Sequence, residues 1–106
     1  MVKRIVVLGA GISGVGAAVL AQKKGYKVFV SDKGKITEDN KKVLLNNEID
    51  WEENNHTLDK ILNADEVIKS PGIPDKAPIV LLIKEKNIIP SQILKFHIKI
   101  GSHNFI

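Results

Sequence analysis

The sequence of 106 residues contains no cysteine, which excludes disulfide bonds, thiolate metal sites and cysteine nucleophiles. Aromatic residues make up only 5% of the chain, and they do not alternate with basic residues as on a nucleic-acid-binding surface. The apolar runs are short and broken by glycine, which excludes a membrane span and a secretory signal. These absences predict a cytoplasmic protein that binds neither nucleic acid nor membrane.

Length and charge bear on the number of domains and on the charge of the expected ligand. The chain has the length of one domain, and a chain of this size buries roughly two thirds of its unfolded surface. It carries 16 Lys and Arg residues against 12 Asp and Glu residues, for a formal charge of +4. Because the basic residues are scattered, we interpret the charge as a mild preference for anionic ligands.

The most informative stretch is an apolar run, residues 5–8, that leads into a glycine-rich loop. Gly9, Gly11 and Gly14 form the pattern G-x-G-x-x-G, and a helical pattern rich in small residues follows. Gly9 permits a tight turn, Gly11 leaves room for a phosphate, and Gly14 lets the helix approach the strand. The helix start would add N–H donors and the positive end of its dipole. The order of strand, loop and helix therefore predicts phosphate binding, the alternative being a purely structural turn.

Ser13 and Asp32 are two further polar candidates, and each has a structural alternative. Ser13 stands at the predicted helix start, where its hydroxyl can cap the helix or donate to a phosphate. Asp32 follows a second predicted strand, residues 26–31. In dinucleotide-binding folds an acidic residue at this place binds a ribose hydroxyl. The alternative is an aspartate that caps the following turn.

A third loop follows the predicted fourth strand, residues 64–69. Ser70 precedes a proline and stays extended, and Pro71-Gly72 is typical of a tight turn. Ligands of open α/β sheets bind at the carboxyl ends of the strands, where these three loops converge. A structural corner between strand and helix is again the alternative.

The remaining pattern completes an alternation of strands and helices. We predict helices at 37–47, with Thr37 as N-cap and Val43 and Leu44 facing inward, at 57–62 and at 75–86. Short strands are predicted at 49–51 and from Asn87 onward. His56 lies in a polar loop without a second histidine nearby, so no metal site is predicted there. The fold class is α/β, a Rossmann-like αβα three-layer domain with a parallel sheet of about five strands in the probable order 3-2-1-4-5.

Two segments together resemble the N-terminal domain of the Mur ligases: VVLGAGISGVGAAVLAQKKGYKVFVSDKG and ADEVIKSPGIPDKAPIV. The similarity extends from Lys3 to Pro90 and is greatest to the Bacteroides-like members that add D-glutamate to UDP-N-acetylmuramoyl-L-alanine. The combination of G-x-G-x-x-G with S-P-G-I at the fourth strand is its most specific feature.

The resemblance implies that the chain binds the uridine diphosphate part of UDP-N-acetylmuramoyl-L-alanine instead of NAD. It implies a diphosphate at Ile12 and Ser13, and a uracil framed by Asp32 and Lys33 on one side and by residues 70–72 on the other. The implied UDP site consists of Gly9, Gly11, Ile12, Ser13, Gly14, Asp32, Lys33, Ser70, Pro71 and Gly72. It includes no catalytic and no metal-binding residue.

ATP and magnesium are implied only for the full-length enzyme, because the family's central ATP-binding and C-terminal ligase domains are absent from this chain. The sequence has no G-K-[ST], the phosphate-binding feature of the family's second domain. The chain is therefore expected to bind and position its substrate without catalysing the reaction, with the missing domains as its partners.

The last residues depart from the family pattern. We assign residues 1–90 to the UDP-binding unit and residues 91–106 to a divergent tail of the same domain. Ser91-Gln92-Ile93-Leu94 stands where the family has an acidic stretch such as S-E-[IL]-E. A slip of the coding frame near Pro90 and genuine divergence at a domain end both explain this tail.

Two other function classes fit the residues alone. Gly9, Gly11, Gly14 and Asp32 suit the NAD-binding domain of an oxidoreductase, although no residue stands out as the acid or base of hydride transfer. A nucleotide-sensing regulatory module fits the same glycine loop. The choice of uridine over adenosine depends on the family resemblance.

Overall fold

The computed structural model describes residues 2–92 of the chain. The strands are β1 (Arg4–Leu8), β2 (Lys27–Ser31), β3 (Asp50–Glu52), β4 (Glu66–Lys69) and β5 (Ser91–Gln92). The helices are α1 (Ile12–Lys23), α2 (Glu38–Asn46), α3 (Leu58–Ile61) and α4 (Pro78–Glu85).

The strands form one parallel sheet in the order β3-β2-β1-β4-β5, which confirms the predicted order. The chain moves outward from β1 through β2 to β3 and then crosses to the other side of β1 for β4. The strand order therefore reverses between β1 and β4. In such sheets the crevice above the carboxyl ends at this reversal is the usual ligand site.

Helices cover both faces of the sheet, so the predicted three-layer architecture is confirmed. Alternate residues of β1 point to opposite faces, as strand geometry requires. One core contains the buried residues Ile5, Val7, Ala17, Ala18, Ala21, Val28, Val30 and Leu44. The other contains Val6, Leu8, Phe29, Ile61, Val67, Val80 and Ile83. Helices α1 and α2 therefore lie on one face, and α3 and α4 on the other.

Small residues let α1 approach the sheet closely. An ideal Cβ built on Gly14 would lie 1.9 Å from the carbonyl oxygen of Gly9, well inside any real contact. Ala17, Ala18 and Ala21 continue the same buried side of the helix. The close approach predicted for Gly14 is therefore present, and it fixes where the first turn of α1 meets the glycine loop.

The boundaries of α4 and β5 differ from the predictions. The helix begins at Pro78 instead of residue 75, because a residue before proline avoids the helical region and Ala77 is extended at ψ 140°. The fifth strand begins at Ser91 instead of Asn87. Asn87 has φ 63°, and the Ile88 N–H donates to the Ile83 carbonyl, so this segment ends α4 before any strand begins.

Helix α2 confirms its predicted N-cap but not both of its predicted inward-facing residues. The Thr37 side chain accepts a hydrogen bond from the Asn40 N–H, which confirms the predicted N-cap of α2. Leu44 is fully buried as predicted, but Val43 is 37% exposed, so the prediction that it faces inward is wrong. Neighbouring residues of a helix point about 100° apart, and Leu44 is the residue of α2 that is buried, so Val43 is turned toward solvent.

Within residues 2–92 the structure has no helix whose length and hydropathy would let it cross a membrane. The predicted divergent tail falls largely on residues 93–106, which lie outside the described residues.

Candidate functional site

A cleft of about 740 Å³ opens above the carboxyl ends of the strands, at the place where the strand order reverses. This volume is within the range of small-molecule sites. Four loops enclose it, those that follow β1, β2, β3 and β4, together with the first turns of α4. Its lining comprises Gly9, Gly11, Asp32, Lys33, Asn54, Asn55, His56, Leu58, Ser70, Gly72, Ile73, Pro74, Ala77, Pro78, Ile79 and Leu82.

The glycine loop brings free backbone donors to one side of this cleft. Gly9 turns the chain with φ 99°, a conformation that favours glycine. Gly11 is the N-cap of α1, and the first amide to bond back to its carbonyl is that of Val15. The amides of residues 12–14 therefore precede the helical ladder, as at any helix start. A Cβ on Gly11 would meet no protein atom within 4 Å, so the space beside it is open.

Ser13 is an exposed residue inside the first turn of α1. The alternative that it caps the helix is wrong, because Gly11 occupies the N-cap and no side chain caps this helix among the described residues. Its hydroxyl and the amides around it lie at the positive end of the helix dipole, an arrangement suited to an anion.

Two side chains hold the glycine loop by its Ala10 peptide. The Ala10 N–H donates to Asp32 Oδ2 at 2.7 Å, and the Ala10 carbonyl accepts from Asn40 Nδ2 at 3.0 Å. Asp32 belongs to the loop after β2, and Asn40 lies in α2. The direction of the loop amides is therefore set by neighbouring elements before any ligand binds.

Asp32 combines a structural role with its place in the cleft. Its Oδ1 accepts from the Gly34 N–H at 2.8 Å, which is the turn-capping geometry of the structural alternative. A carboxylate has about four acceptor sites, and these two bonds use only two of them. Asp32 lines the cleft beside Lys33, so an acceptor and a cation stand together there.

The loop after β4 closes the opposite wall and packs directly on the glycine loop. A Cβ on Gly9 would lie 2.7 Å from the Ser70 Cβ, so only glycine fits between the two loops. Lys69, the last residue of β4, holds this loop in place: it is 4% exposed, and its Nζ donates to the Ile73 carbonyl at 2.6 Å. The carboxylate of Asp75 lies 3.4 Å from the same Nζ.

The third wall contains a partly buried polar cluster around Ser31, at the ends of β2 and β3. Ser31 is fully buried, and its Oγ lies 2.8 Å from Glu52 Oε2 and 2.7 Å from His56 Nδ1. The Glu52 carboxylate also accepts from the N–H and the hydroxyl of Thr57, at 2.8 and 2.5 Å. The cluster therefore links β2, β3 and the start of α3 to a histidine that lines the cleft.

This environment sets the charges of the cluster. Burial raises the pKa of Glu52, but hydrogen bonds from Thr57 and Ser31 outweigh it and bring the pKa below the ordinary value. Burial lowers the pKa of His56 below its ordinary value of 6.5, against the opposing attraction of Glu52 and Asp32. At neutral pH the glutamate is therefore ionised and the imidazole is neutral.

The structure brings many of the predicted site residues together in one cleft. Gly9, Gly11, Asp32, Lys33, Ser70 and Gly72 belong to its lining. Ile12, Ser13, Gly14 and Pro71 do not: the Ile12 side chain is 87% exposed, and Gly14 is packed against Gly9. Ile12 and Gly14 can still offer their backbone amides to a ligand at the start of α1.

The sequence analysis missed the loop after β3, which adds Asn54, Asn55 and His56 to the cleft. The signal was present, because this polar loop follows a strand of the same parallel sheet and so ends at the same edge. Among residues 2–92 no group of three or more His, Asp or Glu side chains is arranged to hold a metal ion.

Comparison with known proteins agrees with this architecture. A family model described as the MurD N-terminal domain matches residues 4–79. UDP-N-acetylmuramoylalanine--D-glutamate ligase of Christiangramia forsetii is 59% identical over 83% of this chain and 20% of its own length. The ligase of the same name from Bacteroides thetaiotaomicron is 60% identical over 77% of this chain and 18% of its own.

A solved structure shares the fold. The UDP-N-acetylmuramate-alanine ligase MurC from Thermotoga maritima superposes with a TM-score of 0.80 over 99% of this chain and 24% of its own, at 20% identity. The chain spans about a fifth of the length of the curated relatives it matches. From the fold, the match of residues 4–79 and the identity to these ligases, the chain belongs to the MurD N-terminal domain family of the Mur ligases.

Proposed function

We propose that this chain binds the uridine diphosphate part of UDP-N-acetylmuramoyl-L-alanine for a ligase that adds D-glutamate to it. The observation that carries the proposal is the open space at Gly11, which lines the cleft at the reversal of strand order and is followed directly by the free amides of residues 12–14. A diphosphate matches these donors in charge and geometry. The hydroxyl of Ser13 and the ammonium group of Lys33 would be two further donors to the diphosphate.

The nucleoside would occupy the part of the cleft between the loops after β2 and β4. Asp32 and Lys33 line one side, and Ser70 and Gly72 line the other. The apolar surface of Ile73, Pro74 and Ala77 continues this wall, and it suits the face of a planar base. The proposal includes the division at residue 90, which follows from the resemblance, and a cytoplasmic location, which follows from the composition of the sequence.

Catalysis would depend on parts of the enzyme outside this chain. The sequence has no G-K-[ST] loop, so the residues present do not fit ATP and magnesium in the manner of the family. This chain would contribute binding and orientation of the substrate, and the central and C-terminal domains would be its partners. We therefore expect no ligase activity from the chain alone.

Calorimetric titration with UDP-N-acetylmuramoyl-L-alanine, UDP and NAD tests the proposal. We expect the uridine ligands to bind and NAD not to bind. Gly11→Val should weaken UDP binding about tenfold or more, because the new side chain enters the space proposed for the phosphate, where its Cβ meets no protein atom within 4 Å. Gly16→Val is the matched control, since Gly16 is exposed in the same helix and outside the cleft.

Binding of NAD in place of UDP would favour the oxidoreductase alternative, for which the acidic residue at the end of β2 is the supporting feature. Equal loss of UDP binding in both glycine variants would show that the effect comes from α1 stability and would refute the phosphate site.

A further inference from the structure

The partly buried cluster of Ser31, Glu52 and His56 fixes which nitrogen of the imidazole carries its proton. Ser31 Oγ has one proton to donate and three polar neighbours: Glu52 Oε2 at 2.8 Å, the Asn55 carbonyl at 3.2 Å and His56 Nδ1 at 2.7 Å. The carboxylate and the carbonyl can only accept. If the serine proton went to His56, two oxygen lone pairs would face each other across 2.8 Å in a buried site.

The serine proton therefore goes to the ionised Glu52 carboxylate, the nearer of its two acceptor-only neighbours, and His56 Nδ1–H donates to Ser31. Glu52 is held as an acceptor by its two bonds from Thr57, one from the N–H and one from the hydroxyl. In a neutral imidazole the other nitrogen is then a bare acceptor. Burial keeps the ring neutral at neutral pH by lowering the pKa of His56.

The contact with Ser31 also fixes the orientation of the His56 ring relative to the cleft. Its Nδ1 edge is fixed on a serine that is fully buried, while the residue itself lines the cleft. The opposite edge, which carries Nε2, is thus the edge that can face the cleft. Lys33 lines the same cleft, so the polar wall offers one fixed acceptor and one cationic donor.

We propose that His56 selects the base of the bound nucleotide by accepting a hydrogen bond from the uracil N3–H through Nε2. This inference rests on the proposed function, and it adds the residue that reads the base. A uracil joined to ribose through N1 has a single N–H donor, at N3, so an acceptor aimed at the base has only this partner. Cytosine carries an unprotonated nitrogen at the same position, which would face the Nε2 lone pair.

Ser31 and Glu52 are positioning residues in this scheme, since they act on the ligand only through His56. Their role predicts a property of the free protein. Nitrogen-15 NMR of the 106-residue chain should find the His56 proton on Nδ1 at neutral pH, with His56→Phe used to assign the signal. In Ser31→Ala the ring loses its fixed partner, and the signal should move toward a mixture of the two tautomers.

The binding test compares UDP with CDP in calorimetric titrations. Wild type should prefer UDP by about tenfold or more, the scale of a polar group left facing the wrong partner. His56→Phe should bind the two nucleotides nearly equally, and Ser31→Ala should retain only part of the preference. Leu45→Phe introduces the same residue at an exposed place on α2, and it should leave the preference unchanged.

The outcomes separate the two proposals. Failure of wild type to bind any uridine nucleotide would refute the proposed function and this inference together. Binding of UDP with an unchanged UDP preference in His56→Phe would leave the proposed function standing and overturn the inference alone. If His56→Phe weakens binding of UDP but not of 2′,3′-dideoxy-UDP, the histidine contacts the ribose hydroxyls, and the inference is overturned. A proton found on Nε2 in the free wild-type chain would also overturn it.

Discussion

Replacing Gly14 and Gly16 by alanine, each alone, should change stability in opposite directions although both residues lie in α1. A Cβ at Gly14 would stand 1.9 Å from the Gly9 carbonyl oxygen and 3.0 Å from its carbon. Both atoms are backbone, so no side chain can rotate away to make room. A Cβ at Gly16 would meet nothing within 4 Å.

The magnitudes follow from two opposing effects. Alanine is favoured over glycine in a helix interior by about 0.5–1 kcal/mol, and this gain applies at both positions. Overpacking costs roughly 1–3 kcal/mol and sometimes more, and the overlap at Gly14 calls for the upper end because α1 must shift by about 1 Å. We expect Gly14→Ala to destabilise the chain by about 2–3 kcal/mol and Gly16→Ala to stabilise it by about 0.5–1 kcal/mol.

Urea unfolding followed by the fluorescence of Trp51 measures both effects. Trp51 is half-buried against the core of α1 and α2, so its emission reports on the same packing. In a domain of about 100 residues each kcal/mol changes the Tm by roughly 4–8 °C, which makes the difference between the two variants large. Equal shifts of the same sign would refute the close contact of α1 with the glycine loop.

Three further predictions concern polar groups that are buried or partly buried. Lys69→Met should lower the free energy of unfolding in urea by about 1 kcal/mol or more, because the Ile73 carbonyl loses its hydrogen-bond donor. Asp75→Asn should change it little, because the Asp75 partner of Lys69 is exposed. His56 has a lowered pKa through burial, so the unfolded chain binds more protons as the pH falls below about 6.5, and stability should decline over that range. The decline should be shallower in His56→Phe; an unchanged pH dependence would contradict the partial burial of the ring. Glu52 has a lowered pKa because its hydrogen bonds outweigh burial, so its contribution to stability should remain above about pH 4.5 and be lost below it. Glu52→Gln should reduce this more acidic phase, to which Glu53 also contributes because its hydrogen bond with Lys41 lowers its pKa.

Much of the fold could be predicted from the sequence because it depends on local patterns. Apolar runs of strand length, separated by helical patterns, dictate parallel strands and right-handed crossovers, and hence the order of the sheet. The glycine loop and the Thr37 cap are likewise local: their residues lie within one turn of the place where they act. The convergence of the loops at one edge followed from the topology alone.

The hydrophobic pattern did not predict the conformation at Asn87 or the exposure of Val43. The run Asn87-Ile88-Ile89 is apolar enough for a strand, but the bond from Ile88 to the Ile83 carbonyl turns it into the end of α4. Val43 and Leu44 are equally apolar, and only the angle at which α2 meets the sheet decides that Leu44 is the buried one.

The sequence by itself determined the sheet, its order and the glycine loop, since these depend on periodicity and on residues close together in the chain. Tertiary structure alone decided the chemistry of the cleft wall. Ser31, Glu52 and His56 are separated by more than 20 residues at their extremes, and no local pattern connects them. Hydrogen bonding is directional and short in range, so the contact of His56 Nδ1 with Ser31 forms only when β2 and β3 lie side by side.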